Sequence, residues 1–122
     1  MNEINIRIAN FDLYDEFLSI MGLGLLQCIK DNIIDYDIAW DWLFNIRNQD
    51  ILKQFKQSKQ VKKAIGLATE LHTAKLVLSD RDYEKSITDI ETIFKKHIVK
   101  NLSEKPELER GIFVYEKKDL GY

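Results

Sequence analysis

Two histidines and one cysteine are the side chains best suited to chemistry in this chain, and spacing gives none of them a partner. His72 and His97 are separated by a helix and a turn, with no cysteine or carboxylate at ligand spacing. Glu70 and His72 are two apart, which puts them on different sides of a helix. A nucleophilic site would need Cys28 or a serine beside one histidine. Cys28 instead stands in an apolar run with no cation placed to lower its pKa, which reads as a buried, inert thiol. One cysteine also excludes an internal disulfide and a cysteine-built zinc site. Gly22-x-Gly24-x-x-Gln27 lacks the third glycine of a dinucleotide loop, and no strand leads into it. The expectation is a protein with no catalytic residue, no metal and no cofactor.

The charged clusters say more. Asp31, Asp35, Asp37 and Asp41 gather around the start of one helix, with Asp37 and Asp41 on one face by four-residue spacing. Alternating acids, a central glycine and a closing glutamate would make a calcium loop, and that pattern is missing. Such acids commonly serve capping and solubility; they also suit a basic partner. Trp42 lies beside Asp41 and off the stripe of Trp40 and Leu43, so it is either an interface anchor or part of a core that buries both sides of the helix. Lys53, Lys56, Lys59, Lys62 and Lys63 occur with no acid among residues 51 to 69. This run is a solvated face or a set of phosphate contacts, but no exposed aromatic for base stacking accompanies it. The net charge of -2 makes nucleic acid an unfavoured partner. Charge divides by region: residues 1 to 50 carry a formal -6 and residues 51 to 122 a formal +4. That asymmetry points to an interaction, either with a cationic partner or between two copies of the chain.

The elements that must position these groups are mostly helical. Ile4, Ile6 and Ile8 alternate with polar residues, which predicts a short strand with one buried face. Asn10 can cap a helix over 11 to 31. Its segment Phe17–Ile29 is apolar on nearly all sides and reads as a helix wrapped by its neighbours, too short for the 20 or so residues of a membrane span. Acidic Asp12, Asp15 and Glu16 before that segment and Lys30 after it suit the helix dipole. Gly22 and Gly24 cost roughly 1 kcal/mol each in a helix, a cost explained by a closely approaching partner helix. Asp35 is expected to cap a helix over 36 to 45, with Tyr36, Ala39, Trp40, Leu43 and Phe44 as its apolar stripe. Asn48 is expected to cap a short helix over 49 to 57, with Ile51, Leu52 and Phe55 inward. Ser58 would start a helix over 59 to 78 whose stripe is Val61, Ala64, Ile65, Ala68 and Leu71, with a bend near His72-Thr73. Ser79 would cap the last helix, 80 to 100, with Tyr83, Ile87, Ile90, Phe94 and Ile98 inward, and Lys85–Asp89 and Glu91–Lys95 as outward pairs. Asn101 to Pro106 reads as a loop, and Ile112 to Glu116 as a second strand. The two terminal strands either pair beside the helices, or the last residues form a mobile tail or dock on another subunit.

The segment from Gly22 to Asp35 (Gly-Leu-Gly-Leu-Leu-Gln-Cys-Ile-Lys-Asp-Asn-Ile-Ile-Asp), Ala39-Trp-Asp-Trp-Leu-Phe44, Gly66-Leu-Ala-Thr-Glu-Leu71 and Tyr83-Glu-Lys-Ser-Ile87 resemble a family of small uncharacterised helical proteins of low-GC bacteria. The likeness covers residues 17 to 98 and consists of packing motifs. By analogy with small acidic proteins of that kind, it implies an immunity-like partner of a bacterial toxin. It implies no catalytic residue.

The composition suits a soluble chain of one domain, residues 1 to 122, with 45 % hydrophobic and 31 % charged residues. The first ten residues do not read as a signal peptide, and no membrane span is expected. The fold expected is a mainly α bundle of about five helices with two short terminal β-strands. The function expected is a cytoplasmic, non-enzymatic protein-binding module that neutralises a cationic partner through Asp35, Asp37, Asp41 and Trp42. The alternatives are a nucleic-acid-associated regulator using Lys53, Lys56, Lys59 and Lys63, and a homo-oligomeric structural protein.

Overall fold

Asn10 starts the first helix. In the computed structural model its backbone is extended, and its side-chain oxygen accepts a hydrogen bond from Leu13 N–H at 2.9 Å. The structure describes residues 2–8, 10–54, 58–111 and 113–118. In order come β1 (Asn2–Arg7), α1 (Phe11–Lys30), α2 (Tyr36–Trp42), α3 (Ile46–Lys53), α4 (Lys59–Val77), α5 (Asp80–Glu104) and β2 (Phe113–Lys118). The chain is mainly helical, as its periodicity predicts. Phe55, expected to face inward, and Lys56, of the lysine run, lie outside the described residues, as do Ile112 and residues 119–122.

The longest helix, α5, packs along both α1 and α4; α2 leans on α1, and α3 on α4. The core they enclose uses the expected stripes. Ala64, Ile65, Ala68 and Leu71 of α4 meet Ile87, Ile90 and Phe94 of α5, with Leu18 and Leu26 of α1 and Tyr36, Ala39, Leu43 and Phe44 closing it. The apolar segment of α1 is not wrapped on all sides, however. Ile20 is 57 % exposed, and Gly24 and Gln27 also face outward. Its buried side runs through Leu18, Gly22 and Leu26.

The two glycines of α1 differ in kind. A Cβ on Gly22 would stand 2.6 Å from Phe94 Cζ, so the absent side chain is what lets α5 approach. A Cβ on Gly24 would meet nothing within 4 Å among the described residues. The expected close contact therefore exists at Gly22 and not at Gly24.

Several helix boundaries shift for reasons the side chains make plain. Asn45, not Asn48, caps α3: its Oδ1 accepts from Asn48 N–H at 2.8 Å, while its Nδ2 donates to Trp40 O at 2.8 Å. This double use ends α2 at Trp42 and starts α3 three residues early. Asp35 precedes α2 in extended backbone but makes no side-chain cap hydrogen bond. Ser58 and Ser79 do cap, accepting from Gln60 N–H and Asp82 N–H, each at 3.2 Å. The helix α4 runs on past His72-Thr73 to Val77. Its successor α5 extends to Glu104, because Asn101, expected in a loop, is buried and donates through Nδ2 to Asp12 O at 3.0 Å.

The strands β1 and β2 pair antiparallel, from Asn2 opposite Lys118 to Arg7 opposite Phe113. Their alternating isoleucines do not face a core: Ile4 and Ile6 are 74 % and 53 % exposed. No helix among the described residues is long and apolar enough to cross a membrane.

Candidate functional site

The short helix α2 is fixed by its inner side. Tyr36 is buried, and its hydroxyl donates toward Ala68 O at 2.8 Å and Thr69 O at 2.9 Å on α4. Burial pushes its pKa up to about 12, so it remains a phenol. The His72 ring stacks on Tyr36 with centroids 5.9 Å apart and lies 5.8 Å from Trp40. This histidine is thus an aromatic neighbour of α2.

With Tyr36 and Ala39 inward, residues 37, 38, 41 and 42 form one contiguous strip of the helix surface by the 3.6-residue period. Asp37 and Asp41 are exposed, as is Asp35 at the helix start. Trp42 is 65 % exposed and Ile38, one turn back, is exposed too. The core therefore does not bury both sides of this helix. Among the described residues no ion pair engages Asp35, Asp37 or Asp41. Asp31 is set apart from them, because Gln27 Nε2 donates to both of its oxygens at 3.2 and 3.1 Å.

The lysines of the run, Lys56 aside, are spread over the end of α3 and the start of α4, with Lys53 and Lys62 lining one shallow hollow. Lys53, at the end of α3, lies 3.8 Å from the Asp50 carboxylate on the same helix. Lys59 and Lys63 are exposed on the opening turns of α4, and Lys62 is half-buried, within electrostatic reach of Asp15.

A second constellation was not legible from spacing. The first half of α1, the start of α4 and the second half of α5 enclose a cleft of about 570 Å³. At its floor Asp15 is 4 % exposed, and its Oδ2 accepts from Ser58 N–H at 2.8 Å. His97 lines the same cleft, half-buried. Asp15 Oδ1 and His97 Nε2 are both buried with no hydrogen-bond partner among the described residues. Burial raises the Asp15 carboxyl above its usual range, against the Ser58 N–H and the His97 charge. Burial likewise lowers His97, against the Asp15 charge. Among the described residues no group of three or more His, Cys, Asp or Glu side chains is placed to hold a metal ion.

Beside the cleft, the segment after α5 is tied back to α1. Arg110 grips Glu16 with two hydrogen bonds, Nε to Oε2 at 2.8 Å and Nη2 to Oε1 at 2.9 Å, a fork geometry suited to a carboxylate. Lys105 Nζ reaches Asp12 Oδ1 at 2.6 Å. The α1 acids thus do more than complement a helix dipole: Asp15 and Glu16 are buried anchors for distant parts of the chain. The available signal was register. Asp15, Ser19, Gly22 and Leu26 follow helical spacing, so Asp15 shares the core-facing side. Nothing comparable marks Arg110.

The expected outward pair of Glu91 and Lys95 is also replaced. Glu91 is buried and takes Lys30 Nζ from α1 at 2.9 Å, with Lys30 also donating to Thr88 Oγ1 at 3.3 Å. Lys85 and Asp89 do pair at the surface, at 3.2 Å.

A family model described as "Protein of unknown function (DUF3969)" matches residues 10–112, and the chain belongs to that family. No curated protein and no solved structure matches it.

Proposed function

We propose that this family member is a single-domain, non-enzymatic protein-binding module of the bacterial cytoplasm. The outer strip of α2 is its interface. Asp35, Asp37 and Asp41 draw in a cationic protein surface, Trp42 anchors it, and the bound module occludes it, as an immunity or antitoxin-like neutraliser would. The observation that carries this reading is an exposed tryptophan set among carboxylates that no ion pair among the described residues engages. Tryptophan is the commonest anchor of binding energy at interfaces. Unpaired acids around it raise the encounter rate with a basic partner and disfavour acidic ones. The strip also has a rigid base, since the buried Tyr36 hydroxyl bonds α2 to α4.

The test begins with affinity capture from the native host and continues with the purified partner. Wild type, Asp37→Lys with Asp41→Lys, and Trp42→Ala are compared for association and dissociation at two salt concentrations. The charge reversal should slow association, more so at low salt. Trp42→Ala should speed dissociation about 30-fold, the equivalent of about 2 kcal/mol. All three positions are exposed, so circular dichroism should be unchanged. An unaltered on-rate for the reversed variant would remove this strip as the interface.

A further inference from the structure

The cleft between α1, α4 and α5 shares no residue with the α2 strip, and its floor is unusual. Among the described residues a buried carboxylate oxygen of Asp15 and a buried imidazole nitrogen of His97 each lack a partner, and both residues line the same cleft. Leaving one such group unsatisfied costs stability, and more for a charged one. Asp15 is also held in place: Ser58 N–H occupies one of its oxygens, so the other is the one left for a donor. Over the floor, α5 presents Lys96 and Lys100, one turn apart and both exposed. Neither is in an ion pair among the described residues, whereas Lys105 on the same rim is engaged by Asp12. The lining therefore joins a buried carboxylate to exposed lysines that no ion pair engages among the described residues, with Glu104 as a further acid on the rim. Its volume, about 570 Å³, lies within the range of small-molecule sites and far exceeds one water.

We propose that this cleft binds a small amphoteric molecule, with an amine donating to Asp15 Oδ1 and His97 Nε2 at the floor and an acidic group held by Lys96 and Lys100 at the mouth. The amine satisfies both unpartnered atoms at once. The acid group, a carboxylate or a phosphate, meets the lysines at the surface. A divalent cation is a poorer fit, because the floor offers two ligands where such ions take four or more. An apolar ligand would leave the floor unsatisfied.

The test is nitrogen-15 NMR titration of the full chain with glycylglycine, O-phosphoethanolamine, and the single-ended controls ethylamine and acetate. The Ser58 amide and the His97 ring report the floor, and the Lys100 amide reports the mouth. One or both amphoteric probes should shift all three saturably, and the choice between them separates carboxylate from phosphate. Asp15→Asn keeps the acceptor for Ser58 N–H and should weaken binding about tenfold or more. Lys96→Ala with Lys100→Ala, which changes only exposed positions, should do the same and guards against a misfolded floor variant. Three outcomes would overturn the proposal: no saturable shift with either amphoteric probe, controls that bind as well as the amphoteric probes, or binding indifferent to both sets of variants.

Discussion

Replacing Gly22 and Gly24 by alanine, one at a time, isolates the packing of α1 against α5. Both glycines lie inside α1, so the gain in helix propensity is nearly the same at each, about 1 kcal/mol. Their surroundings differ. At Gly24 a methyl group would meet nothing within 4 Å, so Gly24→Ala should keep the whole gain. At Gly22 the methyl carbon would fall 2.6 Å from Phe94 Cζ and 2.7 Å from Cε2. Phe94 is fully buried, and its rigid ring has no solvent to turn into. Relieving the overlap means moving the ring or opening the contact between helices, at about 1–3 kcal/mol. Gly22→Ala should therefore be neutral to about 2 kcal/mol less stable than wild type, and about 1–3 kcal/mol less stable than Gly24→Ala. Urea denaturation followed by circular dichroism measures both, and the midpoints should move in opposite directions or by clearly different amounts. If Gly22→Ala gained as much stability as Gly24→Ala, Phe94 would not lie against Gly22 and the packing of α1 on α5 would have to be redrawn.

Two further outcomes follow from buried charge. Lys30→Met leaves the buried Glu91 carboxylate without its cation and should cost about 3 kcal/mol, while adding Glu91→Leu should recover most of that loss; equal stability of the single variant and wild type would show the pair to be idle. His97 faces Asp15 and Glu16 of α1, Lys100 of its own helix and Lys105, and burial holds its pKa below the usual 6.5. The unfolded chain then takes up the proton first, so stability is lost as the pH falls from about 6.5 toward the lowered folded value. His97→Gln should flatten that slope in denaturation series across the window, and an unchanged slope would refute the assignment. Asp15 acts in the opposite sense and higher on the scale than an ordinary carboxylate, since its raised pKa makes stability fall as pH rises past 3.8.

What the sequence made legible was whatever local chemistry determines. The apolar stripes of α4 and α5 obey helical spacing, and Asn10, Ser58 and Ser79 are caps by residue type. The aromatic stripe of α2 was legible for the same reason. The boundary between α2 and α3 was not, because two asparagines three residues apart are equal candidates by type, and only the additional bond from Asn45 to Trp40 O decides between them. The glycines posed a similar problem: spacing shows that one could face a partner, but not which one. Glu91 fits a surface pair with Lys95 by spacing and is withdrawn from it by a lysine on another helix. The floor of the cleft depends on residues from three helices and a loop, and no short window contains it.

The charge asymmetry between the two regions of the chain gains a different meaning from these contacts. Read along the sequence, an acidic first part and a basic second part point outward, to a partner or a second copy. In the structure much of the imbalance is used internally. Asp12 takes Lys105, Glu16 takes Arg110, and Asp15 takes the Ser58 amide. Asp50 lies beside Lys53, and Asp31 is held by Gln27. Among the acids of residues 10–50, those that are exposed and engaged by none of these contacts are the group on and before α2: Asp35, Asp37 and Asp41. The bases that no ion pair engages among the described residues include Lys96 and Lys100 on the rim of the cleft. Internal pairing thus acts as a filter. It removes from consideration the charges whose role is to hold α1 to the C-terminal segment, and among the charges it leaves are two separate surfaces, one acidic beside a tryptophan and one basic beside a buried carboxylate. Mutating the first should change protein association and leave small-molecule titration untouched, and mutating the second should do the reverse.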